Sequence, residues 1–144
     1  MPNFQINVEA ITRGFQYDKI KIRKIAKTIL SDSNVTTASL NIILVNDSFM
    51  KKMNAEYLHR NTTTDVLSFV LEQDEKKKSL EGEIYANLEQ IDRQSRAYKT
   101  TWSEELLRVV IHGILHLVGS DDQSPPEKKE MTEKENYYLI IASS

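Results

Sequence analysis

The stretch from Leu106 to Val118 restricts this chain more than any other. At about 100° per residue, Leu106, Leu107, Val110, Ile111, Ile114, Leu117 and Val118 share one broad arc of a helix, so the segment must lie against a core. The opposite side carries Glu105, Arg108, His112 and His116. Two histidines four residues apart fall on the same helical face, about 5–6 Å apart at Cβ. They are not members of the core stripe, and a bland role in bonding backbone or carboxylates leaves unexplained why both face away from it. Two imidazoles at this spacing reach one ion, since Zn–N bonds are about 2.0–2.1 Å. Gly119, three residues later, can take the left-handed conformation that ends a helix and reverses the chain. Asp122, three further on, can then supply a third donor. Three protein ligands leave a tetrahedral ion one open position, the arrangement of catalytic zinc; four ligands close structural sites.

The spacing narrows the chemistry further. Zinc peptidases with two histidines at this interval need a glutamate immediately after the first as general base, and Gly113 stands there. A peptide or amide hydrolase is therefore a secondary expectation. A metal that only locks the helix to its turn, in a non-catalytic protein, is a third.

The remaining chain reads as one domain over residues 1–144. Phe4 to Val8 alternates as a strand. Asp18 caps a helix from Lys19 to Leu30 striped by Ile22, Ile25, Ala26 and Ile29. Ser39–Val45 is a strand, and a helix follows through Tyr57 with Phe49, Met53 and Tyr57 on one face. Thr64–Glu72 and Leu80–Asn87 are strands whose short link favours an antiparallel pair. Helices between the first three strands favour parallel crossovers there. Leu88–Lys99 is helical. Thr101 to Glu104 and Ser124 to Glu127 have the spacing of capping boxes, the first opening the histidine helix and the second a final helix to about Leu139. The fold class is α+β: a mixed four-stranded sheet packed with about five helices, the metal site on a helix and the turn after it.

Composition closes off other classes. With 40% hydrophobic and 28% charged residues the chain is ordinary for a globular domain, and no run approaches the ~20 apolar residues of a membrane span. It has no cysteine, so neither a disulfide framework nor a thiolate metal site is available. The first residues lack the basic and apolar regions of a signal peptide, which fits a cytoplasmic protein. A net charge of −2 does not suggest a general nucleic-acid binder. Lys76–Lys78 and the group Arg93, Arg96 and Lys99 read as solvated surface charge.

The string His112-Gly113-Ile114-Leu115-His116-Leu117-Val118-Gly119-Ser120-Asp121-Asp122 closely resembles the signature of the YbeY family, bacterial metal-dependent endoribonucleases of ribosomal RNA maturation. That pattern runs His-Gly-x-Leu-His-Leu-x-Gly-x-Asp-His. Seven positions match, and Asp122 stands where the family has its third histidine. Aspartate also binds zinc through oxygen. The neighbouring Asp121 is an alternative third ligand, although spacing favours Asp122. A second segment, Tyr57 to Phe69, resembles the family's Tyr-Arg-x-x-Asp-x-Pro-Thr-Asp-Val-Leu-Ser-Phe, matching without gaps from Thr64. Leu58 replaces an arginine there, for which His59 and Arg60 are the candidate stand-ins. Gly82-Glu83-Ile84 resembles a Gly-Asp-Ile strand.

The resemblance implies single-strand-specific hydrolysis of RNA phosphodiesters at one Zn2+ per chain. It also implies a role in maturing the small-subunit ribosomal RNA 3' end and in ribosome quality control, with RNA and the small ribosomal subunit or its assembly factors as partners. The expected metal ligands are His112, His116 and Asp122. Asp121 is a candidate general base, and Arg60 and Arg108 are candidate cations beside the phosphate.

Overall fold

In a computed structural model, which describes residues 2–57 and 64–143, four strands and five helices alternate as β1 (Asn3–Ala10), α1 (Lys19–Asp32), β2 (Thr37–Val45), α2 (Asp47–Tyr57), β3 (Val66–Asp74), β4 (Ser79–Asn87), α3 (Leu88–Ala97), α4 (Trp102–Leu117) and α5 (Pro125–Ala142). The architecture is the α+β arrangement expected: one mixed sheet with five helices.

The strand order is β1-β2-β4-β3. β1 and β4 flank β2 in parallel, while β3 pairs antiparallel with β4 at the edge. This corrects the expectation that the first three strands run parallel. The short turn between β3 and β4 makes them a hairpin, and one member had to pair with β2. β4 took the inner place because it buries Leu80, Gly82, Ile84 and Ala86, whereas the outer half of β3, from Val70 to Gln73, is exposed. A strand lying between two others needs an apolar inward row along its length; an edge strand does not.

Alternate residues of the strands form the core row: Ile6 and Val8 on β1, Leu40, Ile42 and Leu44 on β2, Leu80, Ile84 and Ala86 on β4. α1 covers them with Ile22, Ile25, Ala26 and Ile29, its first turn capped by the Asp18 carboxylate at 3.0 Å from the Lys21 amide. α4 is buried more widely than its apolar arc predicts. Val109, Gly113 and Leu115 are buried as well, because α1, α3, α5 and the β3–β4 pair surround the helix. The polar stripe is thereby reduced to a narrow strip ending in the two histidines.

Three local expectations change. α3 stops at Ala97, since Lys99 takes a left-handed φ of 53°. Tyr57 is 61% exposed rather than packed with Met53, its ring meeting Phe69 edge-on at 5.9 Å. Thr101 caps α4 through the Glu104 amide at 3.1 Å, but the Glu104 side chain turns to the Thr100 hydroxyl, so only half of that capping box forms. The Ser124–Glu127 box is complete. Trp102 donates to the Gln16 carbonyl at 2.7 Å and stacks on Phe15, fastening the chain ahead of α1 to the start of α4.

Candidate metal centre

α4 presents His112 and His116 one turn apart, and the way it ends determines what they meet. The Val118 and Gly119 amides bond back to the last turn, and Gly119 takes φ +100°, a conformation that carries a cost for any residue with a Cβ. The chain therefore reverses, and the Ser120 amide reaches the Leu115 carbonyl at 2.9 Å. Two consequences follow. The Ser120 carbonyl lies 3.0 Å from His116 Nδ1, and the Asp122 carboxylate comes back over the helix. Asp122 Oδ2 lies 3.4 Å from His112 Nε2 and 3.5 Å from His116 Nε2, and the two Nε2 atoms are 2.9 Å apart. Donor atoms of His112, His116 and Asp122 all lie within 4.8 Å of one another.

The hydrogen-bond partners determine which ring nitrogens carry protons. His112 Nδ1 is 2.6 Å from Glu135 Oε2, and a carboxylate can only accept. His116 Nδ1 faces a carbonyl, which also only accepts. Both Nδ1 atoms must therefore hold hydrogen, and in neutral rings both Nε2 atoms expose lone pairs. Two lone pairs and a carboxylate oxygen then converge with no donor among them. Such an arrangement is repulsive unless a proton or a metal ion sits between the three atoms. Imidazole nitrogen and carboxylate oxygen are both accepted zinc donors, and histidine ligands ordinarily give their second N–H to a carboxylate or carbonyl. The residues present fit a divalent metal.

Electrostatics at His112 favour positive charge at this place, whether a proton or a metal ion brings it. Burial weighs most heavily and opposes its charged form. The Glu135 hydrogen bond and the negative charges of Glu135, Asp122 and Asp65 outweigh burial, and its pKa is raised. The site is a negative basin.

The other sequence candidates fall in different places. Asp121 is exposed, and its Oδ1 accepts the Asp122 amide at 2.8 Å, which steadies the turn without joining the cluster. Arg108 is engaged: one nitrogen lies 3.1 Å from Glu135 Oε1 and another 2.9 Å from Asn136 Oδ1. Leu58, His59 and Arg60 lie outside the described residues. Of the basic group on α3, Arg93 forms a two-pronged pair with Asp47 that holds the aspartate's pKa down, and Arg96 pairs with Asp92. The Thr64–Phe69 segment does reach the histidine helix. Ser68 Oγ donates to the Gly113 carbonyl at 2.9 Å, and Val66 and Ile84 lie against Gly113. The two segments that resemble one family's motifs are thus joined in space.

The sequence profile described as Endoribonuclease YbeY matches residues 6–141. The chain belongs to the YbeY family. Relatives named Endoribonuclease YbeY include one from Amoebophilus asiaticus, 37% identical over 78% of this chain and 75% of its own length. Another, from Karelsulcia muelleri, is 34% identical over 94% of both chains. The fold is similar to the solution structure of a Thermotoga maritima protein, with a TM-score of 0.65, 29% identity, and coverage of 96% of this chain and 89% of that one.

Sequence reading missed Glu135. It lies 23 residues from His112 on α5, and nothing near the motif announces it. A signal exists in the spacing of Met131, Glu135, Tyr138 and Leu139, the four buried residues of α5. A carboxylate in the buried stripe of a helix needs a partner. Also missed was Gln94, whose amide nitrogen donates to Glu105 at 3.0 Å and Asp65 at 3.2 Å, connecting α3, α4 and the start of β3.

Proposed function

We propose that this protein is a zinc-dependent endoribonuclease that hydrolyses phosphodiesters of single-stranded RNA in the maturation of small-subunit ribosomal RNA. The observation that carries the metal half is the convergence of His112 Nε2, His116 Nε2 and Asp122 Oδ2, with each ring's Nδ1 turned to an acceptor. Membership of the YbeY family, whose relatives are named endoribonucleases, supports the RNA half. His112, His116 and Asp122 would hold the zinc, and when bound it would supply Lewis acidity toward water and a phosphoryl oxygen.

The chain's own residues do the rest. Glu135 and the Ser120 carbonyl fix the histidine tautomers. Asp121, exposed beside the site, is the proposed proton acceptor. Arg60 is the proposed phosphate anchor; Arg108 serves there only by leaving Glu135 and Asn136. The proposed setting is the cytoplasm, with the small ribosomal subunit or its assembly factors as partners. Among the described residues no helix is long and apolar enough to cross a membrane.

The test is cleavage of a labelled single-stranded RNA by purified protein, stripped with chelator and then reloaded with zinc. Loss on stripping, return on reloading and inactivity of His116→Ala are expected. Equal cleavage by the stripped protein and the variant would refute the mechanism.

A further inference from the structure

The C-terminal helix α5 touches the frame of the metal centre through three consecutive residues. Lys134 Nζ lies 3.1 Å from Ser120 Oγ, on the turn whose carbonyl faces His116. Glu135 reaches His112 Nδ1 with one oxygen, 2.6 Å away, and Arg108 with the other, 3.1 Å away. Asn136 holds the second arm of Arg108 at 2.9 Å. Glu135 is 8% exposed and sits in the apolar stripe of its helix between Met131 and Tyr138.

We propose that Glu135 is a positioning residue for the metal: it fixes the His112 tautomer with Nε2 free, and so makes docking of α5 a condition of tight metal binding. The proposal rests on the reading of His112, His116 and Asp122 as metal ligands. A carboxylate facing Nδ1 leaves that ring one arrangement, with hydrogen on Nδ1 and the lone pair on Nε2. Were the partner an amide, its NH2 could face the ring instead, the hydrogen would move to Nε2, and the ligand would be lost. Arg108 is what keeps Glu135 in place. Its two arms bridge neighbouring residues of α5, so the carboxylate cannot turn away without breaking an ion pair and stranding a partly buried guanidinium.

The two histidines are supported unequally. His116 faces a neutral backbone carbonyl supplied by its own turn, four residues away. His112 faces a charged group brought from a separate helix 23 residues on. An anionic partner raises the basicity of the ligand it supports, and loss of such partners typically weakens metal binding by about 10- to 100-fold. His112 should therefore be the stronger donor and the one that depends on tertiary structure. Coupling is reciprocal, so metal bound at Nε2 should tighten the grip of α5.

The experiment is zinc affinity by competition with a chromophoric chelator, for the wild type and Glu135→Gln, with ring-nitrogen NMR of His112 in both metal-free proteins. Glu135→Gln keeps shape and size but can donate as well as accept. The expected result is affinity reduced by roughly 10- to 100-fold together with loss of the uniform Nδ1–H signature. Unchanged affinity and an unchanged tautomer would overturn the proposal while leaving the metal centre intact. Absence of zinc binding by the wild type would instead overturn the metal reading on which it rests. Should the variant fail to fold, hydrogen exchange of the wild type decides: zinc must slow exchange of the α5 amides around Met131 to Leu139, and protection confined to α4 and its turn overturns the coupling.

Discussion

Gly113→Ala sets two effects of similar size against each other, and the packing decides between them. On helix propensity alone the change gains about 1 kcal/mol. A Cβ at this position would lie 3.1 Å from Ile84 Cγ2, 3.1 Å from Ser68 Oγ and 3.1 Å from Val66 Cγ2. Contacts between carbons are comfortable at about 3.5–4.0 Å, so each neighbour must retreat by roughly 0.4 Å. None can retreat easily. Val66 and Ile84 are β-branched and stiff at χ1, on strands held in register through the Val66–Ala86 and Ser68–Ile84 pairs; Ser68 is also held by its bond to the Gly113 carbonyl. The remaining relief is to lift α4 off the hairpin, which loosens every contact along it. Overpacking of this kind costs typically about 1–3 kcal/mol. The balance is a net loss of about 1 kcal/mol, or a midpoint lower by roughly 3–5 °C for a chain of this size. Thermal unfolding in chelator is the right assay, because bound metal would add its own stabilisation. An alanine variant more stable than wild type would refute the reasoning, by showing that the hairpin yields and propensity prevails.

Two further outcomes are expected. Asp122→Ala should lower zinc affinity at least tenfold in chelator competition, while Asp121→Ala, whose carboxylate accepts the Asp122 amide and stands outside the donor cluster, should change it less than threefold; the reverse order would reassign the third ligand. Glu105 is buried, and desolvation raises its pKa against the opposing hydrogen bond from Gln94 and charge of Arg108. A carboxyl whose folded pKa lies above its unfolded value, about 4.3, contributes stability fully present below that value and lost as pH rises through the folded pKa. Glu105→Gln should therefore raise the unfolding midpoint at pH 7 and have little effect near pH 4. A less stable variant at pH 7 would mean that attraction to Arg108 outweighs burial.

The parts of this molecule legible in the sequence are those governed by near neighbours in the chain. The Asp18 cap, the Ser124 box, the period of α1 and the His-x3-His pair are local: a helix turn or a two-residue alternation fixes each, and the structure places them accordingly. Gly119 belongs with them, because a left-handed φ after a helix is a local demand. The order of the strands is a different matter. Whether β3 or β4 lies beside β2 turns on which strand carries a buried row along its whole length, a comparison of two segments against a third that no single window contains. Tyr57 shows the same limit. It shares a helical face with Met53, but it meets the half-exposed edge strand β3 through Phe69 and stays 61% exposed, so period without tertiary context overstates its burial.

The candidate metal centre combines both kinds of information, and this explains why the three side chains it brings together were legible and their support was not. A histidine pair at i and i+4 determines where two rings stand, but not which nitrogen of each ring is bare. That second property depends on what each Nδ1 meets. For His116 the answer is local, a carbonyl returned by the Gly119 turn. For His112 it is Glu135, brought by a helix whose docking depends on Met131, Tyr138 and Leu139 reaching the core. The proposed ligand set is written in eleven consecutive residues, but the protonation state it needs depends on the completed fold. A variant that preserves all three donors and unseats α5 should therefore bind zinc more weakly in chelator competition, by the roughly 10- to 100-fold that loss of a supporting partner costs; unchanged affinity would show that α5 plays no part in the site.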